Sequence, residues 1–129
     1  MKIKAIEHIS INTNDFKKSD EFYGQMLGLK HLEVVDCGEF DIHYYAIPGG
    51  SRLELFDYHG KATPVDHPDN DTGLRHLAFE VEDVAAHEKE LRSKGVLITL
   101  PATDLPDLHA RVLLFMDPNG VTLEFCEKI

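Results

Sequence analysis

The stretch Glu7–Asp15, EHISINTND, returns later in the chain as Arg75–Asp83, RHLAFEVED. Each copy places a histidine before alternating apolar residues, which is the pattern of a strand with one buried face. Each copy also ends in an aspartate, a residue type that caps the N-termini of helices. A repeat of this kind within one chain predicts two structural modules with the same architecture.

A helix is predicted after each of these aspartates. The segment from Phe16 to Leu27 carries apolar residues at helical spacing and stops at Gly28, and a similar stripe that begins at Val84 stops before Gly95. Each half then contains two strand-like runs, a turn, and a last strand, SRLELF at positions 51–56 and VTLEFC at positions 121–126. The predicted order in each half is therefore strand, helix and three strands, or βαβββ.

The expected fold class is α+β, with two βαβββ modules in tandem forming a curved mixed sheet around a concave metal site. The first module is expected at about residues 1–58, a linker at 59–73 and the second module at about 74–129, all within one domain. With 129 residues, 43% of them hydrophobic, the chain is long enough to bury a core of its own. The turn-rich segment 57–73 and the proline-interrupted segment 101–110 are expected to be loops, acting as lids or as connections.

Composition and charge argue against several classes of function. The net charge of −10 is spread along the chain, which is unfavourable for binding nucleic acid or an anionic membrane. No apolar run approaches the length of a membrane span, and the N-terminus has no secretory signal pattern. The two cysteines, Cys37 and Cys126, form neither a CxxC motif nor a disulfide framework, so a cytoplasmic location is expected.

The alternation of side chains in a strand separates them into two faces. In each last strand a glutamate stands between two apolar residues, so Glu54 and Glu124 are expected to point away from the face that the helices cover. By the same count, His8 and His76 in the first strands point the same way as these glutamates. Two histidines and two glutamates are therefore expected to converge on the concave side of the sheet.

The two halves, with HISI, LELF, RHLAFEV and DPNGVTLEF at their expected places, resemble the vicinal oxygen chelate superfamily. This superfamily includes glyoxalase I, methylmalonyl-CoA epimerase, extradiol dioxygenases, fosfomycin resistance enzymes and bleomycin-binding proteins, and the resemblance covers essentially the whole chain. It implies that His8, Glu54, His76 and Glu124 are the ligands of one divalent metal ion, a full set that is more similar to glyoxalase I than to the dioxygenases. It also implies association into a homodimer.

The chemistry of these four residues independently favours a metal. Burying an ionised carboxylate in an apolar strand costs several kcal/mol of desolvation free energy unless it is paired, hydrogen-bonded or bound to a metal. Two neutral imidazoles and two carboxylates neutralise a doubly charged ion, and mixed nitrogen and oxygen ligands accept Ni, Zn, Co, Mn or Fe. Each residue taken alone has an ordinary alternative: a glutamate paired with Arg52, Arg75 or Arg111, or a histidine with a structural hydrogen bond. The other histidines, at positions 31, 43, 59, 67, 87 and 109, are expected in surface roles.

The expected function is that of a metal-dependent, glyoxalase-like lyase or isomerase. It would act on a small α-oxygenated carbonyl compound or thiol adduct through a metal-stabilised enediolate. The resemblance makes Glu124 and Glu54 the candidates for general base and acid. Two other classes stay open: an extradiol-type ring-cleaving dioxygenase that uses His8, His76 and Glu124, and a non-catalytic small-molecule binding or resistance protein.

The resemblance also bears on the substrate. Bacterial glyoxalase I enzymes that use glutathione hemithioacetals have an arginine four residues after the first ligand histidine and an asparagine four residues after the first ligand glutamate. This chain has Asn12 and Tyr58 at those places, and an asparagine cannot reproduce the bidentate pairing of an arginine. A substrate other than a glutathione adduct is therefore expected. Strand parity and these two positions give the expected pocket residues as Ser10, Asn12, Phe56, Tyr58, Ala78, Thr122 and Cys126.

Overall fold

The computed structural model describes residues 1–64 and 71–129 of the chain. The chain divides into two compact units, Met1–Pro64 and Val65–Ile129. Each unit contains one copy of the repeat and has its own four-stranded mixed sheet. The prediction of an α+β fold built from tandem βαβββ modules is confirmed.

The first unit combines one helical segment with four strands. Its elements are, in chain order, β1 (His8–Thr13), α1 (Phe16–Asp20) with a π-helical continuation (Glu21–Met26), β2 (Lys30–Asp36), β3 (Asp41–Ala46) and β4 (Arg52–Asp57). The strand order is β1-β4-β3-β2, with β1 parallel to β4 and the other pairs antiparallel. The first and last strands of the module are thereby neighbours.

The second unit repeats this topology. Its elements are β5 (Leu77–Glu80), α2 (Val84–Ser93), β6 (Ile98–Leu105), a short 3-10 turn (Pro106–Leu108), β7 (Ala110–Met116) and β8 (Thr122–Lys128). The strand order is β5-β8-β7-β6, and β5 is parallel to β8. The first and last strands are again neighbours. In each module the strand that begins at or just after the histidine therefore lies beside the strand that carries the glutamate.

Both helices begin at the aspartates that the sequence predicts. The Asp15 carboxylate accepts a hydrogen bond from the Lys18 backbone N–H at 3.1 Å, and the Asp83 carboxylate accepts one from the Ala86 N–H at 2.9 Å. Each bond satisfies a backbone donor that has no partner inside the helix. Among the described residues, no helix has the length and apolar content that crossing a bilayer requires.

The first helical segment departs from the predicted α-helix after Asp20. Its second part is π-helical, with the Leu27 N–H donating to the Phe22 carbonyl at 2.9 Å. A Cβ atom on Gly24 would lie 3.1 Å from the Asp20 carboxylate oxygen and 3.4 Å from the Tyr45 ring. The buried Tyr45 donates its hydroxyl to that same carboxylate at 2.5 Å. The wider π-helical turn thus packs against Tyr45 of the sheet. The spacing of apolar residues in the sequence cannot predict such a contact.

The apolar residues of the last strands are buried as their alternation predicts. Leu53 and Leu55 of β4 and Leu123 of β8 have no exposed surface, and Phe125 is 7% exposed. Their burial fixes the register of these strands, because a shift by one residue would turn the whole apolar set toward the opposite face. The side chains between them are therefore held on the other face of each sheet.

The predicted loop at Pro101–Ala110 is wrong. Residues Ile98–Leu105 form strand β6, which a single short turn connects to β7. β6 lies at the edge of its sheet, and two register shifts interrupt its pairing with β7. The Ala102 N–H donates to the Glu88 carboxylate of α2 at 2.9 Å, outside the β-ladder. An edge strand with bulges tolerates the proline that suggested a loop, since no ladder donor is required from it.

The predicted linker at residues 59–73 is described only in part, because positions 65–70, which include His67, lie outside the described residues. Two hydrogen bonds connect its first part to the first unit. The Asn14 side chain donates to the Ala62 carbonyl at 2.5 Å and accepts from the Ala62 N–H at 2.7 Å. A lid role for this segment stays a prediction.

Replacing Asp83 with alanine is expected to lower the free energy of unfolding by about 1 kcal/mol, because the Ala86 N–H loses its acceptor. Asp83→Asn is the matched control, since asparagine caps helices as well as aspartate while removing the charge. Urea denaturation followed by circular dichroism measures both variants. Equal stability of the alanine variant and the wild type would contradict the capping role.

Candidate metal centre

The histidine and the glutamate of the first unit come from neighbouring parallel strands. The register pairs His8 of β1 with Arg52 of β4, and Ser10 with Glu54. The His8 Nε2 atom lies 3.7 Å from the Glu54 Oε2 atom. The structure thus brings these two predicted ligands together on one face of the sheet.

The Glu54 carboxylate is buried, with the residue only 6% exposed. Ser10 donates its hydroxyl to Glu54 Oε2 at 2.8 Å. The nearby Arg52 does not neutralise it, because its guanidinium pairs with Glu7 at 3.0 Å and with Glu33 at 3.7 Å. A buried carboxylate with a neutral hydroxyl donor and a histidine beside it favours the binding of a positive ion.

A third carboxylate contacts the outer side of the His8 ring. Glu7 Oε2 is hydrogen-bonded to His8 Nδ1, and Glu7 Oε1 accepts from Arg52 Nη2 at 3.0 Å. The hydrogen bond to Glu7, followed by the charge of Glu54, raises the pKa of His8 above its usual value. The hydrogen bond to His8, with a further contribution from Arg52, lowers the pKa of Glu7. Glu7 is not among the site residues predicted from the sequence, although its place directly before a predicted ligand could have identified it.

The second unit contains the matching pair. His76 directly precedes β5, and Glu124 lies on β8 with Ala78 as its register partner. The His76 Nε2 atom lies 3.2 Å from the Glu124 Oε2 atom, and the two side chains are 26% and 16% exposed. The His76 Nδ1 atom is buried and has no hydrogen-bond partner within the described residues. Both members of this pair are thus partly buried, whereas in the first pair only Glu54 is.

The chemistry of both pairs fits a divalent metal ion. In each unit the imidazole Nε2 and one carboxylate oxygen approach each other, at 3.7 Å in the first and 3.2 Å in the second. Donor atoms that bind one ion at about 2.0–2.2 Å lie roughly 3 to 3.5 Å from each other, so each pair needs only small adjustments. Each unit by itself supplies two ligands. That all four residues bind the same ion stays a prediction.

The pocket residues predicted in the first unit lie around an aromatic cluster. Phe56 and Tyr58 pack against Phe40, with ring centroids 5.4 and 5.3 Å from the centroid of Phe40. Asn12 is exposed on β1 and is the register partner of Phe56. Phe40 was missed because it lies in the turn between β2 and β3, where strand parity gives no direction. The fourth candidate, Ser10, contacts Glu54 directly.

The pocket residues predicted in the second unit alternate with the buried residues of β8. Thr122 and Cys126 flank Glu124 at the spacing that places all three on one face. Burial, with a further contribution from the Glu124 charge, raises the pKa of the Cys126 thiol. A thiol of this kind is a weak nucleophile, so Cys126 suits the wall of a site better than a reactive role. Thr122 Oγ1 donates to Met116 Sδ at 3.5 Å.

A second group of ligand-type residues lies beyond the end of β4. Asp41 and Asp57 are register partners on β3 and β4. His59 Nε2 lies 3.3 Å from Asp41 Oδ2, and His59 Nδ1 lies 3.2 Å from Asp57 Oδ2. Two carboxylates that face each other across strands repel, and the histidine between them relieves this repulsion. The prediction of a surface role for His59 did not include this cluster, because the pairing of β3 with β4 brings its two carboxylates together.

Replacing Ser10 with alanine is expected to lower the free energy of unfolding of the metal-free protein by about 1–3 kcal/mol, because the buried Glu54 carboxylate loses a hydrogen-bond donor. Ser10→Thr keeps the hydroxyl on a residue that suits a strand and serves as the control. Chemical denaturation in the presence of a chelator measures both. If the alanine and threonine variants are equally stable, the hydrogen bond does not support Glu54.

Comparisons with known proteins agree on one family. A sequence profile of the Glyoxalase/Bleomycin resistance protein/Dioxygenase superfamily matches residues 5–125. The chain is 32% identical to the uncharacterized protein YaeR of Escherichia coli (strain K12), with 98% of each chain covered. It is 25% identical to a lactoylglutathione lyase of Haemophilus influenzae, over 95% of this chain and 92% of that one.

Solved structures give the same result. The crystal structure of SMU.1112c matches with a TM-score of 0.83 at 30% identity, and the match covers 98% of this chain and 100% of the other. The profile and this structure together span both repeats, including all four predicted ligands. The chain therefore belongs to the Glyoxalase/Bleomycin resistance protein/Dioxygenase superfamily, and the predicted resemblance to the vicinal oxygen chelate proteins is confirmed.

Proposed function

We propose that the protein is a metal-dependent lyase or isomerase of the glyoxalase type, in which His8, Glu54, His76 and Glu124 bind one divalent metal ion. The pairing of an imidazole Nε2 with a withdrawn carboxylate in each unit, at 3.7 and 3.2 Å, carries this proposal. Ni, Zn, Co, Mn and Fe all accept such a donor set. Four ligands per chain give one ion per chain, whether they come from one copy or from two.

The glutamates are assigned the proton transfer. When bound, a divalent ion supplies Lewis acidity, which stabilises negative charge on a substrate oxygen. Glu124 would remove the proton from the hydroxyl-bearing carbon next to a carbonyl, which gives an enediolate, and return it to the former carbonyl carbon, while Glu54 would pass the hydroxyl proton from one substrate oxygen to the other. Among the described residues no side chain donates a hydrogen bond to Glu124, whose Oε2 atom lies 3.2 Å from His76 Nε2, whereas Glu54 accepts one from Ser10 at 2.8 Å. The less constrained Glu124 is therefore the base, and Glu54 is the candidate for the general acid.

The surroundings of the first pair favour a small oxygenated substrate over a glutathione adduct. Asn12 and Tyr58 stand where an arginine and an asparagine contact glutathione in the bacterial enzymes. Arg52, which is near, already pairs with Glu7 and Glu33, so its charge is compensated. A small α-oxygenated carbonyl compound, or an adduct of another thiol, needs no such anchor.

The alternative classes fit these contacts less well. A ring-cleaving dioxygenase would bind its metal through His8, His76 and Glu124 and leave Glu54 out of the coordination sphere. The 3.7 Å separation of His8 and Glu54 argues against that exclusion, since the same histidine faces the fourth ligand, Glu54. A non-catalytic binding protein has no need of four ligands.

Metal analysis followed by substrate screening separates these classes. Metal-depleted protein is loaded with each of the five ions, and bound metal is counted by mass spectrometry. Hemithioacetals and catechols are then tested with each loaded form. One ion per chain with isomerisation of a hemithioacetal is the expected result. Oxygen uptake with catechols in the iron form would identify a dioxygenase instead, and the absence of bound metal would favour a binding protein.

The Glu124→Gln variant is expected to lose turnover by about 10²-fold or more, because an amide cannot accept the proton. Its metal content is expected to fall only in part, since the amide oxygen can still act as a ligand. Glu80→Gln, the same change at an exposed glutamate that pairs with Lys128, is the control and is expected to keep both properties. Wild-type rates in Glu124→Gln would remove this residue as the base.

We also propose that the protein forms a homodimer. All seven residues of β2, the edge strand of its sheet, are exposed. They include Leu32, Val34 and Val35 at 38%, 48% and 42%. Exposed apolar edge strands favour pairing with another chain. Sedimentation velocity at micromolar concentration is expected to show a dimer, and a monomer alone would contradict the proposal.

A further inference from the structure

We propose that Glu7 is a positioning residue that selects the nitrogen through which His8 binds the metal. This inference rests on the proposed function, in which His8 is a ligand. Both carboxylate oxygens of Glu7 are engaged: Oε2 contacts His8 Nδ1, and Oε1 accepts from Arg52 Nη2 at 3.0 Å. Glu7 thus connects a ligand-type histidine to an arginine that is itself fixed in place.

The contact with Glu7 determines the tautomer of the His8 ring. A neutral imidazole carries its hydrogen on one nitrogen and a lone pair on the other. An ionised carboxylate can only accept, so the nitrogen that contacts Glu7 is the one that carries the hydrogen. Nε2 then keeps its lone pair, and this is the atom that lies 3.7 Å from Glu54 Oε2. An acceptor on the outer nitrogen is a recurrent way of orienting a metal-binding histidine.

Arg52 keeps Glu7 in this position. Its guanidinium lies 4.7 Å from the centroid of the Tyr44 ring, and its Nη1 atom lies 3.7 Å from Glu33. The planar guanidinium is therefore held by contacts on several sides, and its donors point in fixed directions. An exposed glutamate alone would occupy many rotamers, and the pairing with Arg52 favours the one that contacts His8.

The second unit lacks this arrangement. The residue before His76 is Arg75, whose side chain has no hydrogen-bond acceptor. His76 Nδ1 has no hydrogen-bond partner in the part of the chain that the structure describes. The His76 side chain is 26% exposed, whereas that of His8 is 45% exposed. Burial restricts the His76 ring, while the more exposed His8 ring depends on a carboxylate.

The tautomer can be measured without any metal. Long-range proton–nitrogen NMR on ¹⁵N-labelled, metal-free protein is recorded at alkaline pH, where the imidazole is neutral, and His8→Gln assigns the signals. The wild type is expected to carry the His8 hydrogen on Nδ1, and Glu7→Ala is expected to shift it toward Nε2. Glu7→Gln keeps an uncharged acceptor and is expected to retain Nδ1–H in part. An unchanged tautomer in Glu7→Ala would overturn the role of Glu7.

Zinc affinity, measured by competition with a chelating dye, provides the second readout. Glu7→Ala is expected to lose about 10- to 100-fold in affinity, as other changes to partners of metal ligands do. Glu33→Ala is the matched control, because Glu33 also pairs with Arg52 but does not contact His8. An equal loss in both variants would show a general charge effect and overturn the proposal. If the wild type binds another of the five ions but not zinc, the competition is run with that ion. A wild type that binds none of the five would overturn the proposed function, while the NMR result would still decide whether Glu7 sets the tautomer.

Discussion

The buried carboxylate of Glu54 is the constraint on which the candidate site depends. Full burial of Leu53 and Leu55 fixes the face of β4 that packs into the core, and the glutamate between them must point the other way. There it receives one hydrogen bond from Ser10 and faces the Nε2 atom of His8. When His8 Nδ1 carries the hydrogen, Nε2 offers a second lone pair rather than a donor. Two electron-rich atoms held side by side, one of them on a buried carboxylate, form an arrangement that favours a cation.

Each unit contains a histidine–glutamate pair, but the contacts that hold the two pairs differ. Glu54 is 6% exposed and held by Ser10, and its histidine is oriented by Glu7. Glu124 and His76 lie closer together, at 3.2 Å, and have fewer fixed partners. Glu54 is therefore the more constrained of the two glutamates, and Glu124 is the more able to rearrange. This difference suits a division of work in which one glutamate mainly binds the ion and the other moves a proton.

Strand alternation made much of this predictable. The period of two placed Glu54 and Glu124 opposite the buried residues, because both strands are apolar on one face only, and the capping aspartates located both helices. Contacts set by pairing between strands could not be read in this way. The Asp41 and Asp57 pair with His59 and the edge position that tolerates Pro101 both depend on which strands are neighbours. Glu7 was not predicted because neighbouring residues in a strand point to opposite faces. Glu7 precedes β1, however, so this rule does not apply to it, and its side chain contacts His8.

The charges around the His8–Glu54 pair affect whether a metal ion or a substrate would bind first. Glu7, Glu33 and Glu54 lie near a single arginine, Arg52, which pairs with the first two and leaves the third to His8. The chain as a whole carries a net charge of −10, so its long-range field also attracts cations and repels anions. An anionic substrate would approach this surface poorly while no cation occupies it. A bound divalent ion would offset this local negative charge, so substrate affinity should depend on metal occupancy more strongly for an anionic α-oxygenated carbonyl compound than for a neutral one.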